Sequence, residues 1–127
     1  MNSIIMGFDF GMRRIGVAVG QKVTQTASGL TVVRARDGIP KWEYLDKIVL
    51  DWQPEKFIVG LPLNMDGSKS EMSQKAHKFS RRMSSRYNIQ SEMFDERLTS
   101  FEARGHEEKT HIDAIAARLI LESWLRG

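Results

Sequence analysis

The pattern of apolar and polar residues near the amino terminus predicts three antiparallel strands. Residues 4–8 (IIMGF) and 15–19 (IGVAV) are apolar runs joined by a turn that contains glycine and two arginines, as in a hairpin whose strands are buried. Residues 29–33 (GLTVV), with β-branched side chains between polar flanks, predict a third strand. These strands are expected to form the first part of a sheet.

The middle of the chain predicts a helix and then a buried strand. An amphipathic helix is expected between Pro40, where a helix can begin, and Pro54, which ends it. Its two tryptophans, Trp42 and Trp52, are expected to pack in the core. Residues 57–60 are wholly apolar, which indicates a strand covered by helices on both faces.

The second half of the chain repeats this order. An amphipathic helix is predicted from about Ser70 to Tyr87, and residues 89–94 predict the fifth strand. Thr99 and Glu102 have the spacing of a capping box, so Glu102 is assigned a structural role at the start of a further helix. A closing helix is expected from about His111 to Leu125.

Length and composition favour one soluble domain. The chain has 127 residues, enough for one hydrophobic core, and we take residues 1–127 as a single domain. No apolar run is long enough to span a bilayer, and the amino terminus lacks the features of a signal peptide. The lack of cysteine excludes disulfides and thiolate metal sites and fits a cytoplasmic location. A net charge of +3 is modest support for a polyanionic partner.

Three carboxylates occupy positions where an acid is costly unless it is paired or bound to a cation. Asp9 follows the apolar first strand between Gly7 and Gly11, Glu96 stands at the end of the fifth strand, and Asp113 heads the apolar stripe of the closing helix. If the sheet brings these acids together, their repulsion requires a divalent cation, and hard oxygen ligands select Mg²⁺ or Mn²⁺. Turn capping by Asp9 and helix capping by Asp113 are the structural alternatives.

Other metal and nucleophile patterns are missing from the sequence. His77, His106 and His111 have no HxxxH spacing and no cysteine partners, which argues against zinc. The nucleophile-elbow motif GxSxG is also absent. Asp95 points away from Glu96 if the strand alternation continues, so only one of the two is expected to face a metal.

Basic residues form two candidate contacts with a phosphate backbone. Three arginines adjoin the acids and could hold phosphates near the scissile bond or only neutralise the acids beside them: Arg13, Arg14 and Arg97. The second helix carries a basic ridge along one side of its apolar stripe: Lys75, Lys78, Arg82 and Arg86. A solvated helix face is the commoner explanation of such a charge run.

The chain resembles a known family in four segments that follow one another in order: GFDFGMRRIGVAVG, IVGLPLNMDGS, FDERLTSFEAR and HIDAIAARLILES. This is the YqgF family, also called RuvX, whose members are named Holliday junction resolvases or nucleases that process the 5′ end of pre-16S ribosomal RNA. The resemblance implies a ribonuclease H-like α/β fold, with a mixed five-stranded sheet of three antiparallel and then two parallel strands, flanked by helices. It also implies that Asp9, Glu96 and Asp113 are the catalytic acids and metal ligands.

The implied reaction is metal-assisted hydrolysis of phosphodiester bonds, with two Mg²⁺ or Mn²⁺ ions held by the acids. Structured RNA, above all the 5′ end of pre-16S rRNA in a ribosomal precursor, is the expected partner, and branched DNA is the alternative. The sequence does not distinguish a monomer from a homodimer, although a resolvase that cuts two strands symmetrically requires a dimer. No membrane partner is expected.

Two other functions are compatible with the sequence. The DFG segment followed by an apolar strand also resembles the phosphate-binding hairpin of actin- and Hsp70-like ATPases, so nucleotide binding is one alternative. A non-catalytic nucleic-acid or ribosome-assembly module is the other. The connection at residues 105–110 (GHEEKT) is shorter than expected for the family, so either this loop is truncated or some of its residues are missing from the sequence. A truncated loop puts the substrate contacts of that loop in doubt but not the acids.

Overall fold

The computed structural model of the chain describes residues 3–99 and 109–127, and in the second range it describes the side chains from Asp113 onward. Its strands and helices, in chain order, are β1 (Ile4–Asp9), β2 (Arg14–Gln21), β3 (Thr26–Arg36), β4 (Ile39–Pro40), α1 (Trp42–Trp52), β5 (Lys56–Leu61), α2 (Glu71–Tyr87), β6 (Gln90–Asp95) and α3 (Lys109–Arg126). A single 3₁₀ turn, Glu96–Leu98, follows β6.

The strands form one mixed sheet in the order β4-β3-β2-β1-β5-β6. The pairs β1·β2, β2·β3 and β3·β4 are antiparallel, whereas β5 lies parallel to β1 and β6 lies parallel to β5. The parallel pairs follow α1 and α2, as expected because a helix is the usual connection between parallel strands. The predicted α/β fold with a mixed sheet is confirmed.

The predicted strand count of five is wrong, because the chain makes one more hairpin after β3. Asp37 and Gly38 both have positive φ angles, 52° and 80°, and fold the chain back so that Ile39 and Pro40 pair with Arg36 and Ala35. An Asp-Gly pair is a strong hairpin signal, and this pair lies between the predicted third strand and Pro40. Pro40 therefore ends a short edge strand, and α1 begins at Trp42.

The two faces of the sheet bury different helices. Met6, Phe8, Val17 and Val59 point to the side covered by α1 and α2, where most of the large apolar side chains are buried. The alternate residues of the same strands point to α3. Fewer side chains are buried on this face, where Ile5, Ala18 and Ile58 pack against Ala117, Ile120 and Leu121. The strand period of two assigns each residue to one of these layers.

Helix α3 lies unusually close to the sheet because glycines form the surface beneath it. A Cβ atom added at Gly7 would lie 2.9 Å from the Cβ of Leu121, and one at Gly29 would lie 3.1 Å from the carbonyl oxygen of Ala114. A Cβ at Gly16 would collide with the carbonyl oxygen of Asp113. Helix α3 runs antiparallel to β1, so its first described side chains lie at the end of the sheet where β1 finishes.

The helices show two buried serines and one departure from the sequence predictions. Ser73 and Ser80 of α2 are buried: Ser73 forms a reciprocal capping box with Ser70, and the Ser80 hydroxyl lies 2.6 Å from that of Ser91 on β6. Trp42 packs against the core as expected, but Trp52 is 37% exposed because it is the last residue of α1.

Some predictions fall outside the described residues. Glu102 and the start of the connection at Gly105 are among these, so the helix predicted to open at Thr99 stays a prediction. No helix among residues 3–99 and 109–127 is both long and apolar enough to cross a membrane.

We predict that Gly16→Ala destabilises the fold by about 1–3 kcal/mol, because the new methyl group meets the backbone of α3 and overpacks a tight contact. Gly29→Ala is the matched control, since its methyl group meets Ala114 at 3.1–3.3 Å and small shifts can relieve it. Both changes reduce unfolded-chain entropy equally, so their difference in urea unfolding reports the contact alone. Equal stability of the two variants would contradict this account of the helix position.

Candidate active site

Asp9 stands at the end of β1 with a glycine on each side of it in the sheet. It pairs with Gly16 of β2. On the other side, the parallel register joins Phe8 to Val59, and its continuation by one residue places Gly60 of β5 beside Asp9. Asp9 follows the Ile5 and Gly7 positions in the strand alternation, so it points to the same face of the sheet as α3.

Asp113 comes from the first turns of α3 and lies over Gly16. The backbone of Asp113 occupies the space that a Gly16 side chain would need, so the helix start is next to the strand position that pairs with Asp9. The Asp113 side chain is 23% exposed, and its Oδ2 atom lies 3.2 Å from Nε of Arg14. Arg14 therefore balances part of the negative charge that the acids bring to this end of the sheet.

Glu96 approaches from the opposite side, over Gly60. It is the first residue of the 3₁₀ turn after β6, and a Cβ atom at Gly60 would lie 2.8 Å from its Oε1 and 2.9 Å from its Cγ. The three acids predicted from the sequence thus come to one end and one face of the sheet. Asp9 occupies the central strand, and the two glycines that flank it leave room for Asp113 and Glu96.

The three acids share one face of the sheet, but their side chains are not grouped around a common centre. Across the part of the chain that the structure describes, no three His, Cys, Asp or Glu side chains are grouped tightly enough to hold a metal ion. The donor set is nevertheless the one that hard divalent cations select, because it consists of carboxylate oxygens without nitrogen or sulfur ligands. Joint coordination by all three acids requires their side chains to move closer together.

Comparison with known proteins identifies the family. A family model described as "RuvX: Holliday junction resolvase" matches residues 3–127. The chain belongs to the RuvX family. Two relatives are both named "Putative pre-16S rRNA nuclease". The one from Actinobacillus pleuropneumoniae is 48% identical over 100% of this chain and 99% of the relative. The one from Hahella chejuensis is 50% identical over 97% of this chain and 84% of the relative.

Solved structures place this RuvX family member in a known fold. The Thermus thermophilus RuvC structure solved in complex with a Holliday junction substrate has a TM-score of 0.59 and 16% identity, over 96% of this chain and 92% of that one. At this identity the likeness concerns the fold, and it confirms the ribonuclease H-like architecture expected from the sequence.

The Actinobacillus alignment extends over 136 positions, more than the 127 residues present here, so that relative has residues that this chain lacks.

Asp95 of this RuvX chain is engaged by its neighbour Arg97. The Arg97 guanidinium donates to Asp95 at 2.7 Å from Nη2 and 3.1 Å from Nε, and the Arg97 backbone N–H donates at 2.9 Å. Hydrogen bonds from the Arg97 side chain are the main cause of the lowered pKa of Asp95. Asp95 therefore holds Arg97 in place, and Glu96 is the acid of this pair that faces Gly60.

Arg97 also joins the strand end to the loop before α2. Its Nη1 atom donates to the carbonyl oxygen of Met65 at 3.3 Å. The loop is shaped by Asp66, whose carboxylate accepts from both the N–H and the hydroxyl of Ser68, and by Gly67 with φ of 87°. Arg97 thus joins this loop to the end of β6, next to Glu96 in the chain.

The basic ridge predicted on α2 divides into two groups. Lys78 is exposed and Lys75 and Arg82 are half-buried, and among the described residues none of the three has a carboxylate within ion-pair distance. Arg86 instead binds Asp46 of α1 with two parallel hydrogen bonds of 2.8 Å and lies 4.6 Å above the ring centre of Trp42. Arg86 therefore has a structural role, because it joins α2 to α1. The sequence did not indicate this role.

The acceptor of this contact is fully used. The Asp46 carboxylate also accepts from the Tyr87 hydroxyl at 2.6 Å, and hydrogen bonds from Arg86 and then Tyr87 lower the pKa of Asp46 to about 2. No sequence pattern announced the contact, because Asp46 and Arg86 are 40 residues apart.

We predict that Asp46→Asn costs about 1 kcal/mol of stability at neutral pH, a value that allows for solvent screening of a partly exposed pair. The folded-state pKa lies below the ordinary value of 3.8, so the contribution is present above pH 3.8 and is lost as pH falls through about 2. Urea unfolding of the two proteins should therefore converge between pH 4 and pH 2. Asp51→Asn, on the same helix, is the control, and a pH-independent gap would contradict the assignment.

Proposed function

We propose that this chain is a nuclease that hydrolyses phosphodiester bonds in structured RNA, with the 5′ end of pre-16S rRNA as its substrate. The observation that carries the proposal is the convergence of Asp9, Glu96 and Asp113 on one face of the sheet, with Gly16 and Gly60 leaving space around the central acid. Like charges brought to one end of a sheet carry an electrostatic cost, which a bound divalent cation would offset.

The comparisons support the same function. Relatives with 48% and 50% identity, aligned over nearly the whole chain, carry the name of a pre-16S rRNA nuclease. This favours a nuclease over the nucleotide-binding and non-catalytic alternatives. The family description gives the second candidate, resolution of Holliday junctions in DNA, and the RuvC structure shares the fold that such an activity uses.

The acids have the roles of metal ligands in this proposal. Two Mg²⁺ or Mn²⁺ ions held by these acids would supply an activated water and would stabilise the charge on the leaving oxygen. Asp9 would contribute from the centre of the sheet, Asp113 from the helix and Glu96 from the turn after β6. No protein nucleophile is needed. One strand and one helix carry Asp9 and Asp113, which fixes the backbone positions of these two acids.

Basic residues near the acids would position the substrate. Arg97 is oriented by Asp95 and by the loop carbonyl of Met65, so its guanidinium has a fixed place beside Glu96. Arg13 is exposed in the turn that follows Asp9, and Arg14 lies against Asp113. On α2, Lys75, Lys78 and Arg82 remain available for phosphates, whereas Arg86 is committed to Asp46.

We predict that Asp9→Asn abolishes metal-dependent cleavage of a pre-16S leader RNA and leaves RNA binding and folding intact. The change removes a ligand charge and keeps the shape of the side chain. Product mapping on gels, with Mg²⁺ and with Mn²⁺, gives the readout, and a chelator should reproduce the loss in the unaltered protein. Asp51→Asn, which removes an exposed acid of α1, is the control and should cleave normally.

The same assay distinguishes the two candidate substrates. A four-way DNA junction is offered beside the RNA, and the solution mass of the protein is measured, because symmetric junction cleavage requires a dimer. Cleavage of the RNA by a protein that leaves the junction intact is the expected result. Symmetric cleavage of the junction alone would replace the RNA proposal with the resolvase, and full activity of Asp9→Asn would overturn the mechanism.

A further inference from the structure

The edge of the sheet formed by β3 and β4 carries basic side chains that belong neither to the acid site nor to the α2 ridge. Arg34, Arg36 and Lys41 are all exposed. Two adjoining concavities of about 430 and 540 Å³ lie along this edge, and Arg34 and Lys41 line both of them. We define Arg34, Arg36 and Lys41 as the edge cluster.

Arg34 and Arg36 of the edge cluster point to the same side of the sheet as the acids. Val33 packs into the core with α1 and α2, so its neighbours Arg34 and Arg36 point to the other face, where α3 and Asp9 lie. Arg34 is paired across the sheet with Arg14, which itself contacts Asp113. A row of cations therefore leads from the acid site to the sheet edge.

The distance from the acids to this edge fits a nucleic-acid backbone. Neighbouring strands are about 4.8 Å apart, so β3 lies roughly 10 Å and β4 roughly 14 Å from the strand of Asp9. Along a duplex, about 14 Å of helix axis carries roughly four phosphates on each strand. The edge cluster can thus contact phosphates a few nucleotides from the bond that the acids would cut.

The charges of the edge cluster are not used within the described fold. Arg14, Arg86 and Arg97 each bind a carboxylate, but no described acid lies within ion-pair distance of Arg34, Arg36 or Lys41. Asp37 and Glu43 also line the two concavities, and the edge cluster together with the nearby exposed Arg13 outnumbers them. The edge keeps a positive local charge that is available to an anionic partner.

We propose that the edge cluster is a phosphate-binding surface that holds the backbone of the RNA substrate beside the cleavage site. This inference rests on the proposed function. It extends that function by a second substrate contact, which lies on the opposite side of Asp113 from Glu96 and from the loop before α2. The hairpin of β3 and β4 positions the surface, because hydrogen bonds from Ala35 to the Arg13 carbonyl and from Gly38 to the Met12 carbonyl fix it to the turn after Asp9.

The test measures RNA binding as a function of salt, with a chelator present so that no cleavage occurs. The probe is an RNA hairpin with a single-stranded 5′ extension, and the variant is Arg34→Gln with Arg36→Gln. Loss of two phosphate contacts should reduce the slope of log Kd against log salt by about 1.5 and weaken binding roughly 10- to 50-fold near 0.1 M salt. Arg34→Lys with Arg36→Lys should restore most of the slope.

The control removes the same charge at the opposite end of the sheet. Lys22 follows β2, and Arg126 ends α3 near the start of β1. Lys22→Gln with Arg126→Gln should change the slope little, and thermal unfolding should show that both double variants are folded. Equal slopes for the two double variants would overturn the edge cluster as a contact.

Two further results separate this inference from the proposed function. Absence of RNA cleavage by the unaltered protein would refute the nuclease proposal, yet the salt slopes would still report the edge cluster. A duplex DNA probe is measured in parallel. If the edge variants weaken binding to DNA and not to the RNA hairpin, the surface is not an RNA contact and the inference fails.

Discussion

Helix α3 approaches the sheet so closely that several residues beneath it must be glycine. The contact between the start of α3 and Gly16 brings Asp113 next to the strand position that pairs with Asp9. On the other side of Asp9, Gly60 has no side chain and leaves room for Glu96. The site depends on this packing because carboxylates from three separate elements can share one face only if nothing else fills the space between them. The layer that binds α3 is accordingly thin, and the larger core lies on the opposite face.

The charged side chains also differ between the two faces of the sheet. Acids collect at the carboxyl ends of β1 and β6 and at the start of α3, and cations surround them without a common structural role. Arg97 and Arg14 are held by acids of the site, whereas Arg86 fastens α2 to α1 through Asp46. Arg34, Arg36 and Lys41 have no described carboxylate partner and line the sheet edge. On α2, pairing with Asp46 therefore separates Arg86 from the cations that remain available to a phosphate backbone.

Much of the fold followed from local patterns. Strand alternation and helical periodicity located β1, β2, β5, β6, α1 and α2 within a few residues, because each has one buried face or two. The extra strand β4 was missed because its two residues are too short for periodicity, although the Asp-Gly turn before it was a usable signal. Helical periodicity does not show that Ser73 and Ser80 are buried, because their hydroxyls are satisfied by Ser70 and by Ser91 in the folded chain.

The sequence by itself determined the types of most elements and the three acids worth testing. These depend on local periodicity and on the cost of placing a charge beside apolar neighbours, which are properties of short segments. Only the tertiary structure decided that Gly16 and Gly60 leave room for Asp113 and Glu96, that Arg86 belongs to Asp46, and that Arg34 faces the side of the acids. Those relations join residues tens of positions apart, so they depend on how the sheet and helices pack.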